Sequence, residues 1–477
     1  MMKTKALLMV LLLMGELFNN AHAQNNTAAY SLQTCIDAAL ANNIPVKENG
    51  LLVQTASINY NQAKYNKLPN VAAGINYGIS NGRSIDPFTN GYINQQLSSS
   101  NANLTASIPV FKGFQTQRSI EQTSLNYQAA KLENQQEKDN LTLNVILAFL
   151  QVMNNEDVLD LTKKQASVTE KQVERLDVLN NEGAISPATF YDMKGQYATD
   201  QVSIVNAVNA LELSKLALAQ LMNVPYKKEM ELSREGMDMT MTLYAATTEQ
   251  IYSTALEKLA MVKAADLRVK AASKAIQVAK SDLYPTLSLF GQFTTNYSSA
   301  TTNSIATGTA DVATTDYVIS GGTNLPVYTK QTNYNINKIN YFSQVKNNIS
   351  SFFGVSLQVP IFNAFQTRSK VALARVQEKN TAFIAENTKI QLQQAIEQAY
   401  LNMTTAFDKY KLLKEQVVAF DESFRAAEIR FDLGSINSVD YLVVKNNLDR
   451  ANVNLTIARY EYLLRTKVLD FYQGSLK

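Results

Sequence analysis

Two nearly matching stretches decide the fold of this chain: IPVFKGFQT at residues 108–116 and VPIFNAFQT at residues 359–367, which lie 251 positions apart. The same spacing still holds where Ala217-Leu218 aligns with Val468-Leu469. A biased composition can produce one such match by chance, but it does not keep a constant spacing over more than 100 residues. The sequence therefore contains an internal duplication.

The earlier part of each copy aligns at a shorter spacing of 216 positions, at which Pro69 matches Pro285. Pro69 and Pro109 are 40 positions apart, whereas Pro285 and Pro360 are 75 apart, so the second copy carries 35 additional residues between its prolines. These boundaries predict four parts, in chain order: a leader (1–23), a first repeat (24–224), a linker (225–248) and a second repeat (249–477). We expect the linker, with the chain termini, to form a collar around the helices.

The first 23 residues are typical of a secretory signal peptide. Lys3 and Lys5 form its positive start, residues 6–14 its apolar stretch, and residues 21–23 a cleavage site with small residues at both ends. An uncleaved membrane anchor is the alternative, but nine apolar residues are too few to span about 30 Å of hydrocarbon. No other run reaches 18 apolar residues. The exported chain is therefore either soluble or spans a membrane as a β-barrel.

The composition excludes much enzyme chemistry. The 477 residues include no tryptophan, one cysteine (Cys35) and one histidine (His22), which lies in the leader. A mature chain without histidine lacks the usual catalytic triads and imidazole metal sites, and a single cysteine forms neither an intrachain disulfide nor a thiolate metal cage. A net charge of +3 shows no basic excess of the kind that nucleic-acid binding needs. We therefore expect no enzyme activity, no cofactor, no metal site and no nucleic-acid partner.

Four segments alternate between apolar and small polar residues, which is typical of half-buried β-strands. They lie after Pro69, before Pro109, after Pro285 and before Pro360. In an exported protein the alternation also fits barrel strands with lipid outside and water inside, while an ordinary soluble sandwich is the alternative. The apolar faces consist of Val71, Ala73, Ile75, Tyr77 and Ile79; Ala102, Leu104, Ala106, Ile108 and Val110; Leu287, Leu289, Phe293 and Tyr297; and Val355, Leu357, Val359 and Ile361.

Two further features bear on a membrane barrel. The segment from about 298 to 348 is rich in Thr, Ser, Gly and Asn, and long polar loops of this kind are normal on the extracellular side of membrane barrels. The absence of tryptophan weakens another barrel signature, the aromatic girdle. Tyr77, Tyr297, Phe352 and Phe353 are the candidates to form it instead.

The remaining chain predicts helices that are too long for a globular domain. Residues 112–181 contain no proline over 70 positions, which corresponds to roughly 105 Å of helix. Apolar residues recur there every seven positions, and the series repeats in the second copy. Such a seam predicts coiled-coil packing against neighbouring helices, although a plain helical bundle would use the same seam. The ten positions are Val145, Val152, Leu159, Ala166 and Val173, then Ile396, Met403, Tyr410, Val417 and Phe424.

Four strands per chain cannot close a membrane barrel, because about eight are the minimum and open strand edges are not tolerated in lipid. If the strands cross a membrane, several chains must pool them, and three chains would give twelve. The prolines fit the transitions: Pro69 and Pro285 lie where helix changes to strand, and Pro109 and Pro360 lie near the return to helix. At these helix–strand junctions proline breaks a helix and disfavours continuation of a strand.

With these features the chain resembles the TolC-like outer-membrane efflux protein family, also called outer membrane factors. The resemblance covers essentially the whole mature chain and rests on the leader, the duplicated layout, the two proline junctions and the turn at residues 434–440. It implies an α+β membrane protein of the Gram-negative outer membrane, with a long coiled-coil α-helical barrel in the periplasm continuous with a transmembrane β-barrel. Four strands per chain would close as a twelve-stranded homotrimer in outer-membrane lipid.

The resemblance also implies a function, that of a passive exit duct in a tripartite efflux or type I secretion system. Its partners would be a periplasmic adaptor (membrane fusion) protein and an inner-membrane transporter. A secreted coiled-coil scaffold or adhesin without channel activity is the alternative, and dependence on detergent separates the two. Drugs, metal ions and proteins all remain open as cargo.

The turns between the long and the shorter helices are predicted to form the periplasmic tips. Glycine allows the left-handed conformation at a helix end, Ser186 and Asn437 can cap the following helix, and Pro187 suits its first position. Capping alone explains these residue types, whereas the resemblance adds contact with adaptor tips. The predicted adaptor-contacting residues are Gly183, Ala184, Ile185, Ser186, Gly434, Ser435, Ile436 and Asn437.

The resemblance places carboxylates just after the second turn, where they narrow the tunnel mouth. Asp440 is the matching residue, and Val443 stands where some relatives have a second acid. At the 251-position spacing Val443 corresponds to Asp192, so each copy keeps one acid and we predict a periplasmic gate of Asp440 and Asp192. Three Asp440 side chains in a ring would bring like charges together and favour cations. The alternative for Asp440 is a solvated aspartate at the positive end of a helix dipole.

Overall fold

The structure is a computed structural model, and it describes residues 29–85, 90–94, 96–234 and 241–475. The predicted signal segment, residues 1–23, lies outside the described residues. The chain forms two compact units. Of the described residues, those within 29–55, 128–267 and 382–475 form a helical unit, and those within 56–127 and 268–381 form a second unit with the main sheet.

Both repeats run from helices through strands back to helices. The elements of the first are α1 (Leu32–Asn42), α2 (Ile44–Tyr65), β1 (Asn70–Ser80), β2 (Arg83–Ile85), β3 (Tyr92–Asn94), β4 (Leu97–Lys112), α3 (Gln115–Asn181) and α4 (Pro187–Met222). The elements of the second are α5 (Thr248–Lys258), α6 (Ala260–Ser281), β5 (Thr286–Ser298), β6 (Thr302–Ser320), β7 (Thr323–Lys338), α7 (Tyr341–Asn347), β8 (Ser350–Gln358), α8 (Gln366–Asp432) and α9 (Ser438–Tyr472).

The helices of the two repeats match in length and in position. α1 and α5 have 11 residues each, α2 and α6 have 22 each, and both pairs lie 216 positions apart. α3 and α8 have 67 residues each and lie 251 positions apart. The duplication in the sequence is therefore a duplication of structure, and the spacing changes between the second and third helices, where the strands lie.

The repeated motif at residues 108–116 and 359–367 turns the chain from strand into helix. Gly113 and Phe114 have φ of +55° and +62°, and the equivalent Ala364 and Phe365 have φ of +51° and +59°. Two consecutive left-handed residues cannot belong to a right-handed helix. For this reason α3 begins at Gln115, three residues later than the predicted start.

The main sheet has four antiparallel strands in the order β1-β4-β5-β8. Each repeat contributes two of them, and β4 pairs with β5 across the boundary between the repeats. This confirms the prediction of four main strands per chain. Pro69 and Pro285 lie directly before β1 and β5, Pro109 lies at a bulge near the end of β4, and Pro360 follows the end of β8.

The polar segment that the sequence predicts as a loop, about 298–348, is a β-hairpin followed by a short helix. β6 and β7 pair with each other over most of their 19 and 16 residues, and they form a two-stranded sheet of their own. At the base, the buried side-chain amide of Gln344 in α7 accepts from the Ser298 amide at 3.0 Å and donates to the Ser298 carbonyl at 2.9 Å. The short helix α7, which follows the hairpin, is thus fastened to the end of β5.

The seven-residue seam packs as predicted. Six of the ten positions are buried and the other four are half-buried, so none of them faces solvent fully. Val145 and Val152 belong to a core that includes Phe149 and Leu218, and Ile396 and Met403 to a second core. Full burial of one such side chain contributes about 1.5–3 kcal/mol, which lets a seam of this length hold helices together.

By length and composition, α4 is the one helix among the described residues that is apolar enough to cross a membrane. Its apolar residues Leu211, Leu218 and Met222 are buried in the core of the helical unit, and it also carries the buried charged residues Asp200 and Lys215. Its apolar character therefore reflects packing against other helices.

Candidate functional site

Each long helix ends in a turn whose backbone is set by a glycine. Gly183 has φ of +70°, and the amide that follows it donates to the Leu179 carbonyl at 2.8 Å. Gly434 has φ of +67°, and the amide that follows it donates to the Arg430 carbonyl at 2.8 Å. This bond across six residues is the Schellman arrangement, which satisfies a carbonyl left free at the helix end. The predicted left-handed glycines are confirmed at both turns.

The helix after each turn is capped by the predicted side chain. Ser186 Oγ accepts from the Ala188 amide at 3.3 Å, and Pro187 takes the first position of α4. Asn437 Oδ1 accepts from the Asp440 amide at 2.8 Å. These bonds satisfy amides that would otherwise lack a partner, so they explain the residue types at both turns without any ligand.

An apolar cluster beneath the turns joins α3 and α4 to α8 and α9. Tyr441 is fully buried, and its ring stacks on that of Phe431 with 4.5 Å between the centroids. Ile185 and Ile436 pack against this cluster and are half-buried, so their main role here is packing. The exposed members of the predicted tip surface are Gly183, Ala184, Ser186, Gly434, Ser435 and Asn437.

The two predicted gate carboxylates lie in different settings. Asp192 is exposed in the second turn of α4, and its Oδ2 accepts from Ser438 Oγ at the start of α9 at 2.8 Å, which links the N-terminal ends of the two helices. Asp440 is exposed in the first turn of α9, where the positive end of the helix dipole favours a carboxylate. Nearby, Arg175 of α3 and Asp432 of α8 form an ion pair. Within one chain, the two tips are therefore joined by polar contacts as well as by the apolar cluster.

The sequence reasoning missed a buried charged network in the helical unit. Lys445 of α9 exposes only 2% of its side chain, and its Nζ lies 2.5 Å from Asp449 Oδ2 and 3.5 Å from Asp200 Oδ2. Gln196 donates to Asp200 Oδ1 at 2.7 Å, and the hydroxyl of Thr169 donates to the same carboxylate. Burial raises the pKa of Asp449 even though Lys445 beside it acts in the opposite direction.

One signal for this network was present in the sequence. Met193, Asp200, Ala207 and Ser214 follow one another at seven-residue intervals on α4, and all four are buried. A carboxylate at such a seam position requires a buried partner, because an unpaired charge there would be too costly. Lys445 itself lies 245 positions from Asp200, and its counterpart at the 251-position spacing, Lys194, is exposed, so spacing alone does not reveal that Lys445 is buried.

The N-terminal segment and the linker contact each other, while a collar around the helices stays a prediction. The Tyr30 amide donates to the Glu231 carbonyl at 2.8 Å, and the Ser233 amide donates back to the Tyr30 carbonyl at 3.0 Å. Next to this bridge, Asp157 of α3 accepts from Arg234 of the linker at 2.6 Å. The same carboxylate binds Arg459 and Tyr460 of α9 at 2.6 and 2.7 Å.

The sheet has one apolar and one polar face, as the alternation predicts. Directly opposed residues share a face, and one row of such pairs is Ala73, Leu104, Phe293 and Ser351. Most apolar residues on this face are exposed in the single chain; Ile75, for example, exposes 77% of its surface. A continuous exposed apolar face of this extent is typical of a surface that contacts lipid or another protein.

Aromatic side chains lie at both ends of this face. Tyr77, Ser100 and Tyr297 form one row, and the ring of Tyr341 lies 4.8 Å from that of Tyr297. At the other end Phe111 contacts Phe114, and Phe362 contacts Phe365.

The spacing between the two aromatic ends matches a lipid bilayer. Eleven positions separate Phe111 from Ser100 on β4. At about 3.3 Å per residue and a tilt of about 40° they rise roughly 28 Å, close to the apolar band of about 25 Å in outer-membrane barrels.

Two residues of the predicted girdle are wrong. Phe352 is paired with Gln292 and lies on the polar face of the sheet. Its neighbour Phe353 lies on the apolar face, but it is paired with Gly291, between the row of Tyr297 and the row of Leu287 and away from both aromatic ends. Successive residues of a strand point to opposite faces, so two adjacent phenylalanines cannot both belong to a girdle.

Known proteins resemble this chain over both repeats. Residues 35–224 and 251–475 match the family model described as outer membrane efflux protein. The chain is 23% identical over 419 residues to the outer membrane protein TolC of Escherichia coli (strain K12), which covers 87% of this chain and 76% of that protein.

Solved structures share the fold. The Campylobacter jejuni CmeC outer membrane channel has a TM-score of 0.73 at 16% identity, and the match covers 93% of this chain and 86% of the CmeC chain. The open state of the Neisseria gonorrhoeae MtrE outer membrane channel has a TM-score of 0.69 at 17% identity, and the match covers 94% of this chain and 89% of the MtrE chain.

Paired long helices joined to a four-stranded sheet with one apolar face define the fold of outer-membrane channels with a helical portion. This chain belongs to the outer membrane efflux protein family, whose model matches both of its repeats. It is accordingly a protein of the Gram-negative outer membrane with a periplasmic helical portion.

Proposed function

We propose that this chain is one subunit of a homotrimeric channel, the passive exit duct of a tripartite efflux or type I secretion system. The observation that carries the proposal is the sheet, whose edge strands β1 and β8 pair with no further strand among the described residues and whose apolar face is exposed. In lipid, such edges would leave amides and carbonyls without hydrogen bonds. Pairing β8 of one copy with β1 of the next removes both edges, and three copies give twelve strands, above the minimum for a closed barrel.

Recording in planar lipid bilayers tests the channel. The protein purified in detergent is expected to behave as a trimer by light scattering and to add discrete conductance steps to a bilayer. The alternative, a secreted coiled-coil scaffold or adhesin, predicts that the mature chain purifies without detergent as a soluble monomer. That behaviour would exclude the duct, because a closed barrel keeps its apolar face in lipid or detergent.

We place the periplasmic gate at Asp440 and Asp192. Three copies of each carboxylate around a narrow opening would attract cations and repel anions. We expect Asp440→Ala to lower the cation preference of the conductance and Asp192→Ala, which also releases Ser438, to raise the conductance itself. Asp311→Ala in the β6–β7 hairpin is the matched control. If both gate variants keep the wild-type conductance and ion preference, the gate is wrong.

We place adaptor docking at the exposed tip residues. Ala184 and Ser435 occupy equivalent positions of the two turns, and both are exposed. In a Cys35→Ser background, a cysteine at either position is expected to cross-link in cells to a periplasmic adaptor, and through it to an inner-membrane transporter. A cysteine at the exposed Lys379 of α8 should not. Equal cross-linking from Lys379 would contradict the assignment.

A further inference from the structure

Two large rings stand out on the polar face of the main sheet. Between the row of Phe290 and the row of Ser298, the other side chains on this face are small or carry neutral amides and hydroxyls. Phe290 and Phe352 are the exceptions among the described residues. Their ring centroids lie 5.6 Å apart, and Phe352 exposes 60% of its surface.

A glycine lets these rings lie close to the sheet. Gly354 is paired with Phe290, and a Cβ atom there would come within 2.8 Å of Phe290 Cζ and 3.4 Å of Phe352 Cε1. The two rings therefore rest over the bare backbone of β8. Covering a strand glycine with an aromatic ring stabilises a sheet, so sheet stability is the structural explanation against which any other role must be tested.

The same two strands carry a second pair on the opposite face. Phe293 and Phe353 have centroids 5.6 Å apart, and Phe353 lies over the paired Gly291 as Phe290 lies over the paired Gly354. On the apolar face such a pair is ordinary, because hydrocarbon solvates it. On the polar face the rings border water, and water does not favour exposed phenyl groups. The two phenylalanine pairs differ in the medium that they face, so the pair on the apolar face serves as the control for the pair on the polar face.

We propose that Phe290 and Phe352 form a contact site in the lumen for small organic cargo that carries aromatic or planar apolar rings. The inference rests on the proposed function, because only a closed barrel turns this face toward a water-filled lumen. Three copies would place six rings at one level. They would offer stacking and edge-to-face contacts to any ring that passes.

The chemistry of the surrounding face narrows the class of cargo. From the row of Phe290 to that of Ser298, the described residues of this face include no acid, base, histidine, cysteine or methionine. They offer metal ions only neutral amide and hydroxyl oxygens, and they do not select the sign of a charge. Each aromatic contact strengthens binding by roughly two- to tenfold. This is weak enough for the bound molecule to leave again, as conduction requires.

Current block in planar bilayers tests the site with matched pairs of ions. Benzyltrimethylammonium and naphthalene-2-sulfonate carry rings, while tetramethylammonium and methanesulfonate have the same charges without rings. Both aromatic ions are expected to reduce the wild-type current at concentrations where the aliphatic ions do not. Phe290→Leu/Phe352→Leu should raise the half-blocking concentration by about fivefold, since six rings are lost.

Two further variants separate this role from sheet stability. Phe293→Leu/Phe353→Leu makes the same change on the lipid face and should leave the block within about twofold of the wild type. Phe290→Tyr/Phe352→Tyr keeps the rings and should retain the block. Two results would overturn this inference and leave the proposed channel function intact. One is a wild-type channel that conducts but is blocked equally by aromatic and aliphatic ions. The other is an unchanged block in Phe290→Leu/Phe352→Leu. Absence of any conductance in the wild type would overturn the proposed function and the inference with it.

Discussion

At the scale of single residues, the repeated motif shows how one backbone geometry is met by two sequences. Of the two left-handed positions before each long helix, the first holds Gly113 in the first repeat and Ala364 in the second. At Gly113 a Cβ atom would lie 2.5 Å from the Ser281 carbonyl oxygen and 2.7 Å from Tyr284 Cβ. The first copy therefore requires glycine for space as well as for φ, whereas the second tolerates alanine at a cost of about 1 kcal/mol in backbone strain.

This difference predicts opposite outcomes for reciprocal substitutions. Gly113→Ala is expected to destabilise the protein by about 2 kcal/mol or more, because strain adds to the clash with backbone. Ala364→Gly should be neutral or stabilising by up to about 1 kcal/mol. Thermal unfolding of the detergent-solubilised protein, followed by far-ultraviolet circular dichroism, measures both. Equal destabilisation by the two changes would show that space around Gly113 is not the deciding factor.

A second prediction at the residue scale concerns Asp449. Burial raises its pKa in the folded state, so the folded chain holds this proton at a pH where the unfolded chain has lost it. The stability that this carboxyl contributes is therefore fully present below its ordinary pKa and falls as the pH rises through the higher folded-state pKa.

Asn does not titrate, so Asp449→Asn provides the comparison. The melting temperature of the wild type minus that of Asp449→Asn is expected to decrease as the pH rises from acidic to neutral. Asp432→Asn, which removes an exposed ion-paired carboxylate, controls for general charge effects. An increase of the difference with pH would mean that attraction to Lys445 outweighs the burial of Asp449.

At the scale of elements, local signals predicted the helices well and the hairpin poorly. The seven-residue seam, the glycines at 183 and 434 and the capping side chains are all local in sequence, and they fix helix ends and helix faces. β6 and β7 lack a clean apolar alternation, so no period-two signal marks them as strands, although β1 and β8 alternate and are just as exposed within the chain. Asp200, Lys445 and Thr169 meet only after α3, α4 and α9 have packed, which no local pattern encodes.

The hairpin is predicted to be separable from the sheet. β6 and β7 pair with each other and not with the main sheet, and the Ile339 amide already lies 3.3 Å from the Thr301 carbonyl at the hairpin's base. Replacing Thr302–Lys338 by a short Gly-Ser turn should leave a protein that still inserts and conducts. Bilayer recording and heat resistance of the oligomer in detergent measure this.

Gln344→Ala is the informative contrast. It keeps the hairpin but leaves the Ser298 amide without its buried side-chain partner, which is expected to cost about 1–3 kcal/mol. The point variant should therefore lower the heat resistance more than the deletion does. The reverse order would show that the hairpin itself supports the sheet.

At the scale of the whole molecule, the strand pairing between the two repeats of one chain predicts the strand pairing between neighbouring chains. β4 and β5 meet across the repeat boundary, and β8 and β1 are their equivalents. Leu104 of β4 lies opposite Phe293 of β5. The equivalent of Leu104 in β8, 251 positions later, is Val355, and the equivalent of Phe293 in β1, 216 positions earlier, is Tyr77. If neighbouring copies pair in the same way, Val355 therefore lies opposite Tyr77 of the next copy.

Disulfide trapping tests this register. In a Cys35→Ser background, Val355→Cys/Tyr77→Cys is expected to give covalent trimers on oxidation, because directly opposed strand residues approach to about 4.5–5.5 Å. Val355→Cys/Ala73→Cys is four residues out of register and should not cross-link. Efficient trapping by the second pair and not by the first would place the strands in another register.

The pairing of β4 with β5 also has an evolutionary consequence. If β4 meets β5 as β8 meets the next β1, a gene that encoded one repeat would have yielded six identical subunits around the same ring. Fusion of two such genes would have halved the number of subunits and freed alternate positions to diverge. The present chain records that divergence: only the second copy carries the long hairpin, and the buried Asp200 of the first copy corresponds to Ala451 in the second.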